Sequence, residues 1–145
     1  MTRPFVVAAA LAALVTAGCG SSEEANLSHF TGAPWATTST GYTFCNGASA
    51  GAADTVVFGT QGAELTSVGS AGCAFHYTVV GDVATMSNGP VDCNGQSGGL
   101  PVAFIYTRGV VTTSDGHHLT AEFAGTYSDP TVGACPFEYT LVGTR

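Results

Sequence analysis

Along the stretch CAFHYTVVG, Cys73, Phe75, Tyr77 and Val79 fall on one side of an extended chain, and Ala74, His76, Thr78 and Val80 on the other. The stretch CPFEYTLVG repeats the pattern, with Cys135, Phe137, Tyr139 and Leu141 against Pro136, Glu138, Thr140 and Val142. The two copies share a cysteine, a phenylalanine, a tyrosine and an aliphatic residue on one side. That side is predicted to face the core. His76 and Glu138 occupy the same place on the other side and differ, as solvent-facing positions can. Each copy therefore delivers a cysteine and three large side chains to one core.

Polar punctuation between such runs predicts antiparallel hairpins. Gly81-Asp82 reads as a two-residue turn, opposing Val79 with Ala84 and Tyr77 with Met86. Asp115-Gly116 is a strong type I′ signal between PVAFIYTRGVVTTS and HHLTAEFAGTYS. A register centred there sets Thr112 against Leu119, Val110 against Ala121 and Phe104 against Tyr127. It also sets Arg108 on the core face opposite Phe123, which demands either a sheet rim or a bulge near Gly109. Residues 53–60 and 63–68 read as two strands around Gln61-Gly62, and Trp35 to Cys45 as another. No segment beyond residue 18 carries a helical stripe of useful length. The expected fold is all-β and antiparallel, about eight strands in a small barrel or β-sandwich with internal duplication. Such a barrel can enclose one small ligand.

The cysteines extend the repeat. Cys45-Asn46-Gly47 recurs as Cys93-Asn94-Gly95, so each unit runs from C-N-G to C-x-F-x-Y-T. Each unit is expected to close on itself, with bridges Cys45–Cys73 and Cys93–Cys135. The second unit is longer, and its extra residues are expected to lengthen the Asp115-Gly116 hairpin. That hairpin is then either a projecting arm or an extended barrel wall. Its tip, with Asp115, His117 and His118, is a possible contact site on a rigid scaffold.

The start of the chain has a different character. Arg3 precedes an apolar run from Phe5 to Val15, too short for a membrane-spanning helix, which needs about 20 residues. Small residues then lead to Cys19. This is the layout of a signal peptide. Thr16-Ala17-Gly18-Cys19 resembles the bacterial lipoprotein signal, although a bulky apolar residue usually stands where Thr16 does. The resemblance implies that Cys19 is diacylated and becomes the first mature residue; the alternative is an ordinary secretory signal cut near Ala17 or Cys19. Gly20, rather than Asp, after the cysteine implies transfer to the outer membrane if the organism has one. The expected organisation is a signal peptide over 1–18, a lipidated N-terminus and flexible tether over 19–34, and a single duplicated β domain over 35–145. Export also provides a compartment in which disulfides persist.

Composition narrows the partners. The chain of 145 residues carries three basic and ten acidic side chains, a formal net charge of −7. Charged residues are only 9% of the total, against roughly 25% in an ordinary soluble domain. So few cations cannot neutralise many phosphates, which argues against nucleic acid and against a polybasic membrane patch. The expected membrane contact is the lipid at Cys19. Taken together, Cys19, Trp35 and the two C-x-F-x-Y-T-x-V-G stretches resemble small exported bacterial lipoproteins with a Gly/Thr-rich, disulfide-bonded β domain. That resemblance implies a cell-envelope location and no particular activity.

Candidate chemistry is sparse. There is no G-x-S-x-G and no H-E-x-x-H. His117 and His118 are adjacent, so strand geometry points them apart and disfavours a shared metal. His29 falls in the expected tether, and His76 on an outward position. Glu64, Glu122 and Glu138 sit on separate strands, the last two on outer faces. Trp35, Tyr42, Phe44, Tyr106 and Tyr127 are expected to pack a core, or else to stack on a ligand. No cofactor or metal is expected. The function expected is a non-catalytic envelope module that binds a small ligand or an envelope component. The alternatives are an exported hydrolase assembled from strand-end residues, and a purely structural or protein-interaction module.

Overall fold

The computed structural model describes residues 24–45, 47–48, 52–69, 71–97 and 99–145. The expected signal peptide and Cys19 lie outside the described residues. A 3-10 turn, Leu27–His29, opens the described chain, and strands make up the rest. They are β1 (Trp35–Phe44), β2 (Gly47–Ala48), β3 (Ala53–Val56), β4 (Phe58–Gln61), β5 (Glu64–Val68), β6 (Ala74–Val80), β7 (Val83–Met86), β8 (Val91–Ser97), β9 (Leu100–Thr112), β10 (His118–Asp129) and β11 (Gly133–Thr144). All pairings are antiparallel.

The strands form one eleven-stranded sheet in the order β2-β1-β11-β10-β9-β7-β6-β5-β4, with β3 on β1 and β8 on β9. Its two edges nearly meet. The extended stretch from Ala53 to Gln61 breaks at Val57: β3 pairs with β1, and β4 pairs with β5. One stretch thus serves both edges, and the sheet curls into a nearly closed barrel. The strand expected over 53–60 is therefore two strands with different partners. The two-residue β2 and the side-branch strand β8 raise the count further above the expected eight or so.

Alternation decides what fills the barrel. Trp35 and Thr37 on β1, Leu65 and Ser67 on β5, Phe75, Tyr77 and Val79 on β6, and Leu119, Ala121 and Phe123 on β10 are all buried. Phe137 of β11 is buried as well, while Pro136 and Glu138 beside it are exposed. The two repeated strands therefore present the inward faces read from sequence. They stand on opposite walls, with β10, β9 and β7 between them on one side. The Gly81-Asp82 turn also forms as read, with Val79 opposite Ala84 and Tyr77 opposite Met86. Gly81 has φ +55°, a left-handed conformation that suits the tight turn.

The long hairpin departs from its expected register. Near the tip Val111 faces Ala121 and Thr112 faces Thr120, one residue away from expectation. Beyond Ala124 the register shifts, and Tyr127 faces Phe104 as read. The cause is a five-residue loop, 113–117, in place of a two-residue turn. Asp115 Oδ1 accepts the backbone N–H of both His117 and His118 at 2.8 Å, and Gly116 N–H donates to Thr113 Oγ1 at 3.1 Å. A bulge at Thr107 absorbs the offset. It also resolves the Arg108 conflict, because inward positions change from Val102, Phe104 and Tyr106 to Gly109 and Val111. Arg108 consequently faces solvent and pairs with Glu122 at 2.8 Å.

The disulfides correct the expected pairing. They join Cys45 to Cys135 and Cys73 to Cys93. Each bridge still joins a C-N-G element to a C-x-F-x-Y-T strand, but the partner belongs to the other unit. Barrel closure is the physical reason. β1 lies beside β11, with Phe44 opposite Phe137, so Cys45 emerges next to Cys135. β8 folds back along β9 and brings Cys93 to the start of β6.

The tether expected through residue 34 is also corrected. Phe30 is fully buried, Leu27 packs against the core, and Asn26 N–H donates to the Gly81 carbonyl at 2.9 Å. His29, expected to be solvated, bonds Asp82 Oδ1 through Nδ1 at 2.8 Å. The segment seals one end of the barrel. Arg145 staples it there by donating to the carbonyls of Ser28, His29, Phe30, Thr31, Ala33 and Gly116. Its guanidinium also lies 4.4 Å from the centroid of the Trp35 ring, whose Nε1 donates to the Phe30 carbonyl at 2.8 Å.

Candidate functional site

With one end sealed, the barrel interior opens at the other, where both disulfides lie. A cavity of about 620 Å³ runs inward from that mouth. Its depth is set by side-chain size. At the sealed end Phe30, Trp35 and Phe58 fill the bore, and Phe58 stands edge-on to both Phe30 and Tyr77 at 6.1 Å. Toward the mouth the lining is Ser39, Ala71, Gly95 and Gln96, too small or too polar to close it.

The walls are aromatic. Phe75 and Tyr106 meet edge-to-face at 5.0 Å, Tyr106 and Phe123 at 5.9 Å, and Phe123 stacks on Tyr139 at 5.2 Å. These contacts hold the rings in fixed orientations and add to their burial. Burial pushes the Tyr77 hydroxyl up to about 12, against a smaller opposing effect of the Ser67 hydroxyl at 3.2 Å. Burial likewise raises Tyr106 above the ordinary tyrosine value, opposed by a hydrogen bond with Tyr139. Both phenols therefore stay protonated at neutral pH. A second cluster, Val102, Tyr127 and Phe137, packs beneath the Cys45–Cys135 bridge.

Among the described residues, charge in the lining is limited to one side chain, Asp54. Asp54 stands directly opposite the buried Thr37, so both point inward, and Asp54 is exposed at the mouth. Its Oδ1 accepts the Thr55 backbone N–H at 2.7 Å. No histidine lines the cavity. The imidazole–carboxylate pairs His29–Asp82, His76–Glu64 and His118–Asp115 all lie outside it. A shallower groove of about 340 Å³ crosses the outer wall over Arg108, Glu122 and Glu138.

The possible contact site read from sequence is placed at the sealed end. Asp115, His117 and His118 are exposed, but Asp115 is committed to the loop: besides the two backbone bonds, its Oδ2 meets His118 Nδ1 at 2.6 Å. That side-chain bond, then the two backbone N–H groups, hold its carboxyl far below the usual range. The loop does not project. The buried Gly116 packs on His29 and Arg145. Among the described residues, no three His, Cys, Asp or Glu side chains gather around one point that could hold a metal ion. Trp35 is a core residue, Tyr127 packs beneath the bridge and Tyr106 lines the cavity; the side chains of Tyr42 and Phe44 lie outside the described ones.

Sequence reading missed Asp54 and the cavity's small mouth residues. Both depend on β3 pairing with β1 across the closing seam, a contact that no local pattern in the stretch ADTVVFGT announces. Comparison with protein-family models, with curated proteins and with solved structures finds no match to this chain.

Proposed function

We propose that this protein is an exported, lipid-anchored barrel that holds a small, largely apolar ligand in its interior. The observation that carries the reading is the cavity of about 620 Å³, open at one end and walled by aromatic rings. Small-molecule sites commonly occupy about 300–1,000 Å³ and are mostly apolar with a few polar groups. Two disulfides at the mouth suit an oxidising compartment outside the cytoplasm. Anchoring at Cys19 is the remaining element, and it rests on the resemblance of residues 16–19 to a lipoprotein signal.

The test is saturable binding of a neutral hydrophobic fluorophore, N-phenyl-1-naphthylamine, by the purified mature chain. Gly95 supplies the control. A Cβ there meets only Val102 Cγ2, at 3.8 Å, so a large side chain fits the backbone while filling the mouth. Wild type should bind near one equivalent, and Gly95→Trp should bind at least about tenfold more weakly while melting at a similar temperature. No saturable binding, or equal binding by the variant, would remove the interior as the site.

A further inference from the structure

We propose that the cavity prefers an apolar ligand whose polar end is a cation, an alkyl- or arylammonium, over an isosteric carboxylate. The inference rests on the interior being the ligand site, and adds which charge that ligand bears.

Three features of the molecule lead there. First, no cation is available to an anionic headgroup. The chain has three basic residues and no lysine. Arg108 lies on the outer wall with Glu122, and Arg145 is consumed at the sealed end, while Arg3 belongs to the expected signal peptide. Second, the one charged side chain in the lining among the described residues is the carboxylate of Asp54, inward-facing and exposed at the mouth. An ammonium entering after its apolar body meets this opposite charge; a carboxylate meets a like charge with no compensating donor of positive charge. Third, the rings behind Asp54 include Phe104, Tyr106 and Tyr139, and aromatic faces attract cations through their quadrupole. The net charge of −7 acts in the same direction over longer range.

Orientation follows. The apolar body lies against Phe75, Phe123 and Leu119, and the ammonium stays within reach of Asp54, still partly hydrated. Full burial of the cation is unnecessary, so its desolvation cost stays small.

Displacement of bound N-phenyl-1-naphthylamine from the mature chain by octylammonium, octanol and octanoate, at neutral pH and low salt, isolates the headgroup. The expected order of half-displacing concentrations is octylammonium, octanol, octanoate, with about tenfold between the first and last. Raised salt should narrow that span on the unaltered protein. Asp54→Asn should bring octylammonium level with octanol, each half-displacing concentration being scaled to the variant's own affinity for the neutral probe. Octanoate displacing as well as octylammonium overturns the proposal, as does an ammonium advantage that survives both salt and Asp54→Asn. Either result with the probe still excluded by Gly95→Trp leaves the interior site standing. A probe that never binds removes both readings together.

Discussion

Arg145 shows how much one side chain can fix when the fork of its guanidinium finds acceptors. It donates to carbonyls on both sides of the sealed end and lies over Trp35. Charge-assisted bonds of this kind contribute about 1.5–3 kcal/mol each when a partner is lost, though a shared donor cannot count every bond in full. Arg145→Ala should therefore lower stability by about 2–4 kcal/mol in urea unfolding. Arg145→Lys should recover less than half of that loss, because a point charge cannot span carbonyls from residues 28 to 33 and Gly116 together. Full rescue by lysine would show that charge alone acts there. Three carboxylates hold turns through hydrogen bonds of their own. Asp82 is lowered by its bonds to Asn26 and then His29, Asp115 by His118 and the backbone at 117 and 118, and Asp129 by the Tyr127 hydroxyl, then the backbone at 132 and 131. A folded pKa below the unfolded one means stability that is complete above the unfolded value and lost as pH falls through the folded value. The unfolded reference is 3.8 for each. Melting temperature should thus hold steady down to about pH 5 and decline below about pH 4, modestly because solvent screens these exposed groups. Asn at all three positions should flatten that acid limb; an unchanged limb would place the acid sensitivity elsewhere.

At the scale of strands, local signals were legible wherever a turn was self-sufficient. Gly81-Asp82 needs only two residues and a left-handed glycine, so the register of β6 and β7 follows from sequence. Asp115-Gly116 has the same appearance, yet Asp115 uses its side chain to satisfy two N–H groups, which takes a longer loop and moves the register by one. The inward face could then be restored only by a bulge, and the misplaced Arg108 was its one trace in the sequence. The bulge leaves a mark on β10. A Cβ at Gly125 would stand 2.0 Å from the Ile105 carbonyl oxygen and 2.9 Å from Phe137 Cε1. No rotation of a side chain relieves a contact with backbone, so the strands must part. Gly125→Ala should cost about 3 kcal/mol or prevent folding, whereas Ala124→Gly beside it should cost about 1. Disulfide pairing was not legible for a different reason. Repetition suggests closure within each unit, but the pairing is decided by which strands become neighbours, a property of the whole chain. Non-reducing peptide mapping should return Cys45–Cys135 and Cys73–Cys93. The bridges close spans of 90 and 20 residues. On chain-entropy grounds, losing the longer should cost about 1.3 kcal/mol more than losing the shorter. A map showing Cys45–Cys73 would overturn the strand order at the seam between β1 and β11.

For the molecule as a whole, the two ends of the barrel are unlike, and the proposed anchor turns that difference into an orientation. Asn26 is fixed to the sealed end through the Gly81 carbonyl and the Asp82 carboxylate. Cys19 precedes Asn26 by seven residues, a contour of at most about 25 Å whatever its conformation. Strand β10 takes eleven steps from the sealed end at His118 to the open end at Asp129, about 36 Å at about 3.3 Å per residue, or roughly 26–30 Å along the axis at a barrel tilt of about 35–45°. Under the proposed anchoring at Cys19, an acyl group in the bilayer would hold the sealed end near the headgroups and turn the mouth, Asp54 and both disulfides toward the aqueous space. In that orientation the proposed ligand would enter from solution or from a partner across that space, not directly from the supporting leaflet. The acidic surface favours the same standoff over anionic lipid, since its net charge is repelled once the anchor is seated. The measurement is paramagnetic broadening of backbone amides by a headgroup spin label in nanodiscs carrying the lipidated chain. Amides at 81–82 and 113–117 should broaden strongly, and those at 130–133 and 71–73 weakly. Equal broadening at both ends would mean a barrel lying on its side. Stronger broadening at 130–133 would invert it, setting the mouth against the bilayer and making membrane lipid the natural source of whatever fills the cavity.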